Sequence, residues 1–231
     1  MSREPIMTEI EAREKIRNQR SEISNFRWPD AFIVVRTLAH ALALLPLARI
    51  LFAALTGGLS INPIQDVEQR LGRAAIALLT AALAVTPAVT LSGWKKLGKL
   101  ARPLGLYAFG YAFLHFLTFL WLDFGFNGPL LLRELREKPY IILGLSALLI
   151  LNALAVTSFR WWQRKLGKNW KRLHRLVYLA GVLVVVHYGL AVKGDFFRLQ
   201  GNVMLPVLYG IGILILLAMR IPAVKNKLKR G

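Results

Sequence analysis

The chain has 231 residues, is 55% hydrophobic, and sets 31 Lys and Arg against 12 Asp and Glu, a formal net charge of +19. Cysteine is absent, which excludes disulfides, iron–sulfur clusters, thiolate metal sites and thioether-linked heme. Long uncharged blocks alternate with short basic clusters, the distribution a bilayer selects. Nucleic-acid binding is set aside, because it needs a basic face on a folded surface.

Residues 1–30 read as a cytosolic N-terminal extension of mixed charge, with a weak amphipathic pattern at Ile6, Ile10, Ile16 and Ile23. Glu4, Glu9, Glu11 and Glu14 interrupt the basic-then-apolar run that a signal peptide needs. Residues 31–220 then hold six apolar blocks, at 31–55, 74–94, 103–122, 140–159, 173–192 and 199–219. The first is the least clean, since it contains Arg36 and Arg49. Each block is close to the roughly 20 residues that cross about 30 Å of hydrocarbon, and a helix satisfies its own backbone there. The expected fold class is therefore all-α, a polytopic membrane bundle of six helices with short connections. Residues 221–231 form a basic cytosolic tail. No internal repeat is evident along the chain.

The distribution of Lys and Arg sets the orientation. Basic clusters follow the second block (Lys95, Lys96, Lys99, Arg102) and the fourth (Arg160, Arg164, Lys165, Lys168, Lys171, Arg172, Arg175), and recur in the tail (Arg220, Lys225, Lys227, Lys229, Arg230). On the opposite side the basic residues are diluted by Asp66, Glu68, Glu134, Glu137 and Asp195. Both termini are expected in the cytosol. Trp28, Trp94, Trp161, Trp162 and Trp170 fall at inner boundaries and Trp121 at an outer one, where indole rings prefer to sit.

The apolar blocks contain little polar chemistry beyond four histidines, His40, His115, His174 and His187. Ionisable residues inside a membrane are functional candidates by default. His115 and His187 both lie slightly outward of the middle of their blocks, so the two are nearly level. Two level neutral imidazoles on facing helices can clamp a heme iron from both sides, an arrangement that favours electron transfer over oxygen activation. His174 lies roughly 20 Å deeper toward the cytosol than His187, where a second heme would serve as a relay. Thirteen steps of about 100° place those two side chains roughly 140° apart on an ideal helix, so one heme and two remain alternatives. Arg49 and Arg73 on the outer side, and Arg36, Arg102 and Arg175 on the inner side, are candidates to pair with heme propionates, but snorkelling or topology signalling is the more ordinary explanation for each.

A set of motifs follows in fixed order. Leu71-Gly72-Arg73 and Thr86-Pro87 bound the second block, and Arg102-Pro103-Leu104-Gly105-Leu106 leads to Tyr111-Ala112-Phe113-Leu114-His115. Lys138-Pro139-Tyr140-Ile141 and Thr157-Ser158 bound the fourth. Lys165-Leu166-Gly167, Trp170, Leu173-His174-Arg175-Leu176-Val177-Tyr178 and His187-Tyr188 complete the set. In this order, over about residues 36–220, the chain resembles the MsrQ (YedZ) family, the heme-binding membrane subunits of periplasmic methionine-sulfoxide reductase systems, with a ferric-reductase-like transmembrane fold. The resemblance implies b-type heme, one or two, and FMN, although no motif here marks a flavin site. It also implies residence in the bacterial inner membrane. Electrons would come from the quinone pool or a cytosolic flavin reductase and pass to a periplasmic molybdenum-cofactor reductase that repairs oxidised envelope proteins. By motif position His115, His174 and His187 match the family's heme-associated histidines. His40, in His-x-x-x-Leu-Leu-Pro, matches a further family position. Two departures stand out: Ala101 precedes Arg102 where many members have a second arginine, and Gly189-Leu190 follows His187-Tyr188 where many have a tryptophan.

Two other readings are weighed against this electron conduit. A stand-alone quinol- or metal-reducing cytochrome b would share the histidines and differ in its acceptor. A transporter with histidine relays is opposed by the lack of Asp or Glu in any apolar block and of an inverted repeat. Since the chain ends soon after the sixth block, an external electron donor is expected, with the basic inner loops as its surface.

Overall fold

The computed structural model describes residues 31–192 and 194–221. The expected extension over 1–30, with its amphipathic pattern, and the tail beyond residue 221 lie outside the described residues. The chain divides into two units, Met1–Thr37 and Leu38–Gly231. The described part of the first is the opening of a helix, and the contacts below belong to the second.

The elements run α1 (Ala31–Thr56), α2 (Pro63–Ser92), a 3₁₀ segment (Lys95–Leu100), and α3 (Ala101–Leu117), which continues as a π-helical turn (Thr118–Asp123). There follow α4 (Gly128–Glu137), α5 (Pro139–Val156), α6 (Arg160–Leu166), α7 (Lys168–His174), α8 (Leu176–Ala191) and α9 (Met204–Ala218). Among the described residues the sole ladder pairs β1 (Gly194–Asp195) antiparallel with β2 (Gln200–Gly201). Five stretches are long and apolar enough to cross a bilayer: Ala31–Thr56, Pro63–Ser92, Lys95–Asp123, Pro139–Val156 and Lys168–Ala191. The sixth apolar helix, α9, has 15 residues; it starts later than expected because Gln200 and Gly201 pair with the preceding strand. Large apolar side chains such as Leu42, Phe52, Leu149 and Leu214 are exposed, as a lipid-facing surface requires. The fold is an all-α multi-pass membrane bundle.

Local chemistry explains the ends. Asn62 caps α2 by accepting from the Gln65 N–H, Pro63 occupies the first turn, and Gly93 closes the far end at φ +69° with its N–H on the Val89 carbonyl. At the broken end of α5, Trp170 Nε1 donates to the Thr157 carbonyl at 2.8 Å and Gln163 Nε2 to the Ser158 carbonyl at 2.9 Å. The short helices α6 and α7 thus satisfy carbonyls that α5 leaves open. Trp170 is more than an interfacial anchor.

Two intrahelical prolines are accommodated by side chains from elsewhere in the bundle. Pro87 has no N–H for the Leu83 carbonyl one turn earlier. Arg220 Nη2 takes that role at 2.7 Å, while Nη1 donates to the Tyr178 hydroxyl, also at 2.7 Å. Beside Pro46 in α1, the buried Tyr111 hydroxyl donates to the Ala43 carbonyl at 2.7 Å and accepts from the Leu47 N–H at 3.1 Å. It is inserted into the helix ladder at the one step where those two groups would otherwise bond each other.

The main packing is α2 along α3 and α5 along α8, with α3 against α5, and α9 against α8 and α2. A repeat emerges here that the sequence reading missed. The buried cluster joining the two hairpins is Leu79 and Ala108 from the first with Leu151 and Ala180 from the second, and each pair is separated by the same 72 positions. With no gap, that register also aligns Leu71 with Leu143, Gly72 with Gly144, Ala75 with Ala147, and His115 with His187. Both hairpins run in the same order through the membrane, so the repeat is parallel rather than inverted.

Candidate cofactor site

Among the described residues, one pair of histidines is brought together. The His115 ring on α3 and the His187 ring on α8 stand 6.2 Å apart between centroids, with planes at 79°. Each is held by the neighbouring helix of its own hairpin. His115 Nδ1 lies 2.9 Å from the Glu68 carbonyl on α2, and His187 Nδ1 lies 2.8 Å from the Tyr140 carbonyl on α5. A carbonyl can only accept, so both Nδ1 atoms carry the proton and donate, leaving Nε2 as the lone-pair nitrogen. Metal-binding imidazoles are held in this tautomer by the same kind of partner.

The spacing bears on what the pair can hold. Metal–imidazole bonds of about 2.0–2.1 Å on either side of one ion, with about 1 Å from each nitrogen to its ring centre, set two such centroids about 6 Å apart. The observed separation fits a single metal centre between them. Among the described residues no group of three or more His, Cys, Asp or Glu is placed to hold an ion. Two imidazoles alone do not complete a coordination sphere, so a metal held here would need further ligands that these residues do not supply.

The rings also sit against glycine. A Cβ added at Gly72 on α2 would meet His115 Nδ1 at 3.3 Å, and one at Gly144 on α5 would meet His187 Cε1 and Nδ1 at 2.7 Å. In each hairpin the glycine lies one turn after the carbonyl that accepts from the ring. Sequence reading quoted Leu71-Gly72 and Tyr140 as motif pieces without assigning them this role. The signal available was Leu-Gly-x-x-Ala-x-x-x-Leu at 71–79, repeated at 143–151.

The other two histidines lie apart from this pair. His174 ends α7, and the chain turns at Arg175 before α8 begins. Its ring stacks on Trp170 with centroids 4.0 Å apart, Nδ1 lies 3.1 Å from the Trp170 carbonyl, and the Leu154 carbonyl also faces it. The residue 72 positions before His174 is Arg102 rather than a histidine, and the Arg102 guanidinium lies over the Phe159 ring. His40 on α1 sits edge-on to Tyr107, with Nδ1 3.0 Å from the hydroxyl.

Around the pair, Arg73 follows Gly72 and lies within electrostatic reach of Tyr188, next to His187. Gly189, part of the Gly189-Leu190 departure from the family pattern, is covered by the Phe196 ring from the turn beyond α8. Outside the spans, the Glu134 carboxylate pairs with the Lys138 ammonium at the entry to α5. That hydrogen bond holds the Lys138 pKa above its ordinary 10.5.

A multi-pass helical bundle in which two repeated hairpins each bring one imidazole to a common point belongs to the class of membrane proteins with histidines paired between helices. The comparisons give the family. Residues 71–185 match the ferric reductase like transmembrane component. The chain is 36% identical to the protein-methionine-sulfoxide reductase heme-binding subunit MsrQ of Bordetella pertussis, over 82% of this chain and 89% of the relative. It is 40% identical to the MsrQ of Cronobacter sakazakii, over 80% and 90%, and 37% identical to that of Herminiimonas arsenicoxydans, over 84% and 87%. The chain belongs to the MsrQ family.

Proposed function

We propose that this chain is the heme-bearing, electron-transferring membrane subunit of a methionine-sulfoxide reductase system. In this reading His115 and His187 would hold a b-type heme through its iron. The observation that carries it is the pair itself: two imidazoles at the separation one metal centre requires, each with its proton fixed on Nδ1 and its Nε2 left for iron. The heme would bring the further ligands that the protein does not supply, and its iron would supply reversible one-electron chemistry. The protein's part is to fix both tautomers and to keep the site among apolar helices, which tunes the potential of whatever metal it holds.

The membrane is the bacterial inner membrane with both termini cytosolic, as the basic inner loops support. That orientation puts the histidine pair in the outer half of the bundle, nearer a periplasmic acceptor than a cytosolic donor. The acceptor is a periplasmic molybdenum-cofactor reductase that repairs methionine sulfoxide, and the donor is quinol or a cytosolic flavin reductase. His174, deeper and engaged by Trp170, has no second imidazole beside it among the described residues, and its role in a relay is secondary in this reading. The FMN implied by the resemblance is assigned no residues.

The test is reconstitution. The purified chain, reduced in liposomes and mixed with its periplasmic reductase, should reoxidise when a methionine-sulfoxide protein is added and not without the reductase. Reoxidation independent of that partner would favour a stand-alone cytochrome.

A further inference from the structure

We propose that Gly144 is a positioning residue that sets the place of the His187 imidazole, and that its repeat mate Gly72 does so for His115 less tightly. The inference rests on the heme reading above and goes beyond it to two residues that have no side-chain atom to offer a metal. Three observations carry it. First, the nearest atoms to a Cβ at either glycine are all imidazole atoms: Nδ1, Cε1 and Cγ of His115 for Gly72, and the same three of His187 for Gly144. At Gly181 and Gly210 an added Cβ would instead meet aliphatic side chains, Ile213 and Leu83 or Val185. The two site glycines therefore face a ring rather than making room for helix packing.

Second, the repeat discriminates between neighbouring positions. One turn further along each helix, the paired positions are Ala75 and Ala147, both buried and both carrying a Cβ. The positions against the rings are where both hairpins omit it.

Third, the clearances are unequal. Ordinary van der Waals contact begins near 3.4 Å, against 2.7 Å at Gly144 and 3.3 Å at Gly72. An alanine at 144 would have to displace the His187 ring by about 0.7 Å, whereas one at 72 asks about 0.1 Å of His115; metal–ligand distances tolerate about 0.2 Å. The His187 ring cannot simply slide away, because Nδ1 is tied to the Tyr140 carbonyl one turn below.

The experiment compares wild type, Gly72→Ala, Gly144→Ala, Gly210→Ala and the double variant Gly144→Ala/His187→Ala. Each full-length chain is purified in detergent and read by heme content, electron paramagnetic resonance and redox titration. Gly72→Ala should keep a low-spin signal with a small shift. Gly144→Ala should lose most of that signal to a high-spin form, with heme affinity down about 10–100-fold, the scale of lost second-shell support. Gly210→Ala, a packing control beside Val185, should keep the wild-type spectrum. Should Gly144→Ala fail to fold, removing the clashing ring in the double variant should restore folding to the level of His187→Ala alone. A wild-type signal in Gly144→Ala, or a double variant that folds no better than Gly144→Ala, overturns the proposal. Wild type that takes up no heme sinks the functional reading itself, a separate outcome.

Discussion

Arg220 offers a quantitative test of how this bundle tolerates a proline in its second helix. Arg220→Met keeps the length of the side chain and removes both hydrogen bonds, the one to the Leu83 carbonyl and the one to the Tyr178 hydroxyl, each 2.7 Å long. Hydrogen bonds to charged groups contribute about 1.5–3 kcal/mol in soluble proteins, while interhelical ones in membranes average about 0.6 and reach about 1.7 kcal/mol. With two bonds and a stacked guanidinium 4.9 Å from the Tyr178 ring centre, a loss of about 1–3 kcal/mol is expected. The mechanism makes a sharper claim than the magnitude. Because Pro87 deprives the Leu83 carbonyl of its helical donor, Pro87→Ala restores an N–H there and makes Arg220 less necessary. In a double-mutant cycle, Arg220→Met should cost less in the Pro87→Ala background, with a coupling of about 0.5–2 kcal/mol. Reversible unfolding by SDS titration in mixed micelles would measure all four corners. Strictly additive losses would refute the idea that the guanidinium substitutes for the missing N–H.

Other consequences follow from single contacts. Tyr111→Phe removes the hydroxyl inserted between Ala43 and Leu47 and should destabilise the bundle by about 1–2 kcal/mol, with faster hydrogen exchange at Leu47. Lys138 has a raised pKa because it donates to Glu134, so its contribution is fully present below the unfolded value and fades as pH rises through the higher folded one. Lys138→Met should therefore lower the unfolding midpoint at neutral pH, and the difference from wild type should close in strong alkali. His174→Ala should leave the low-spin signal of the His115–His187 pair in place, since the two sites share no contact in the described residues; loss of that signal would require a direct link between them.

Hydrophobic block length and charge distribution made the bundle legible, because a bilayer demands long uncharged helices and sorts Lys and Arg to one side. The level placement of His115 and His187 was legible for the same reason: helical rise converts residue number into depth. The groups that hold those histidines were harder to see. The partners of His115 and His187 are backbone carbonyls, which leave no mark on residue type, and the glycines matter only through the rings they face. The 72-position repeat was present as Leu-Gly-x-x-Ala-x-x-x-Leu, yet Leu, Ala and Gly are so common in membrane helices that the match did not stand out. The separation of His174 from the pair depends on the break at Arg175, and its engagement depends on Trp170, a residue whose composition signal was that of an interfacial anchor. Similarly, Tyr111 and Arg220 act on prolines in other helices, and pairings at sequence separations of 64 and 137 positions cannot be read from local pattern.

The most direct test of the central claim is electron paramagnetic resonance of the oxidised, purified wild type beside His115→Ala and His187→Ala, with heme quantified in each sample. If these two imidazoles clamp one iron, wild type shows a low-spin signal of two nitrogenous axial ligands, and either substitution abolishes that signal. A wild-type signal that survives both substitutions, or a wild type that binds no heme when supplied with it, would contradict the assignment.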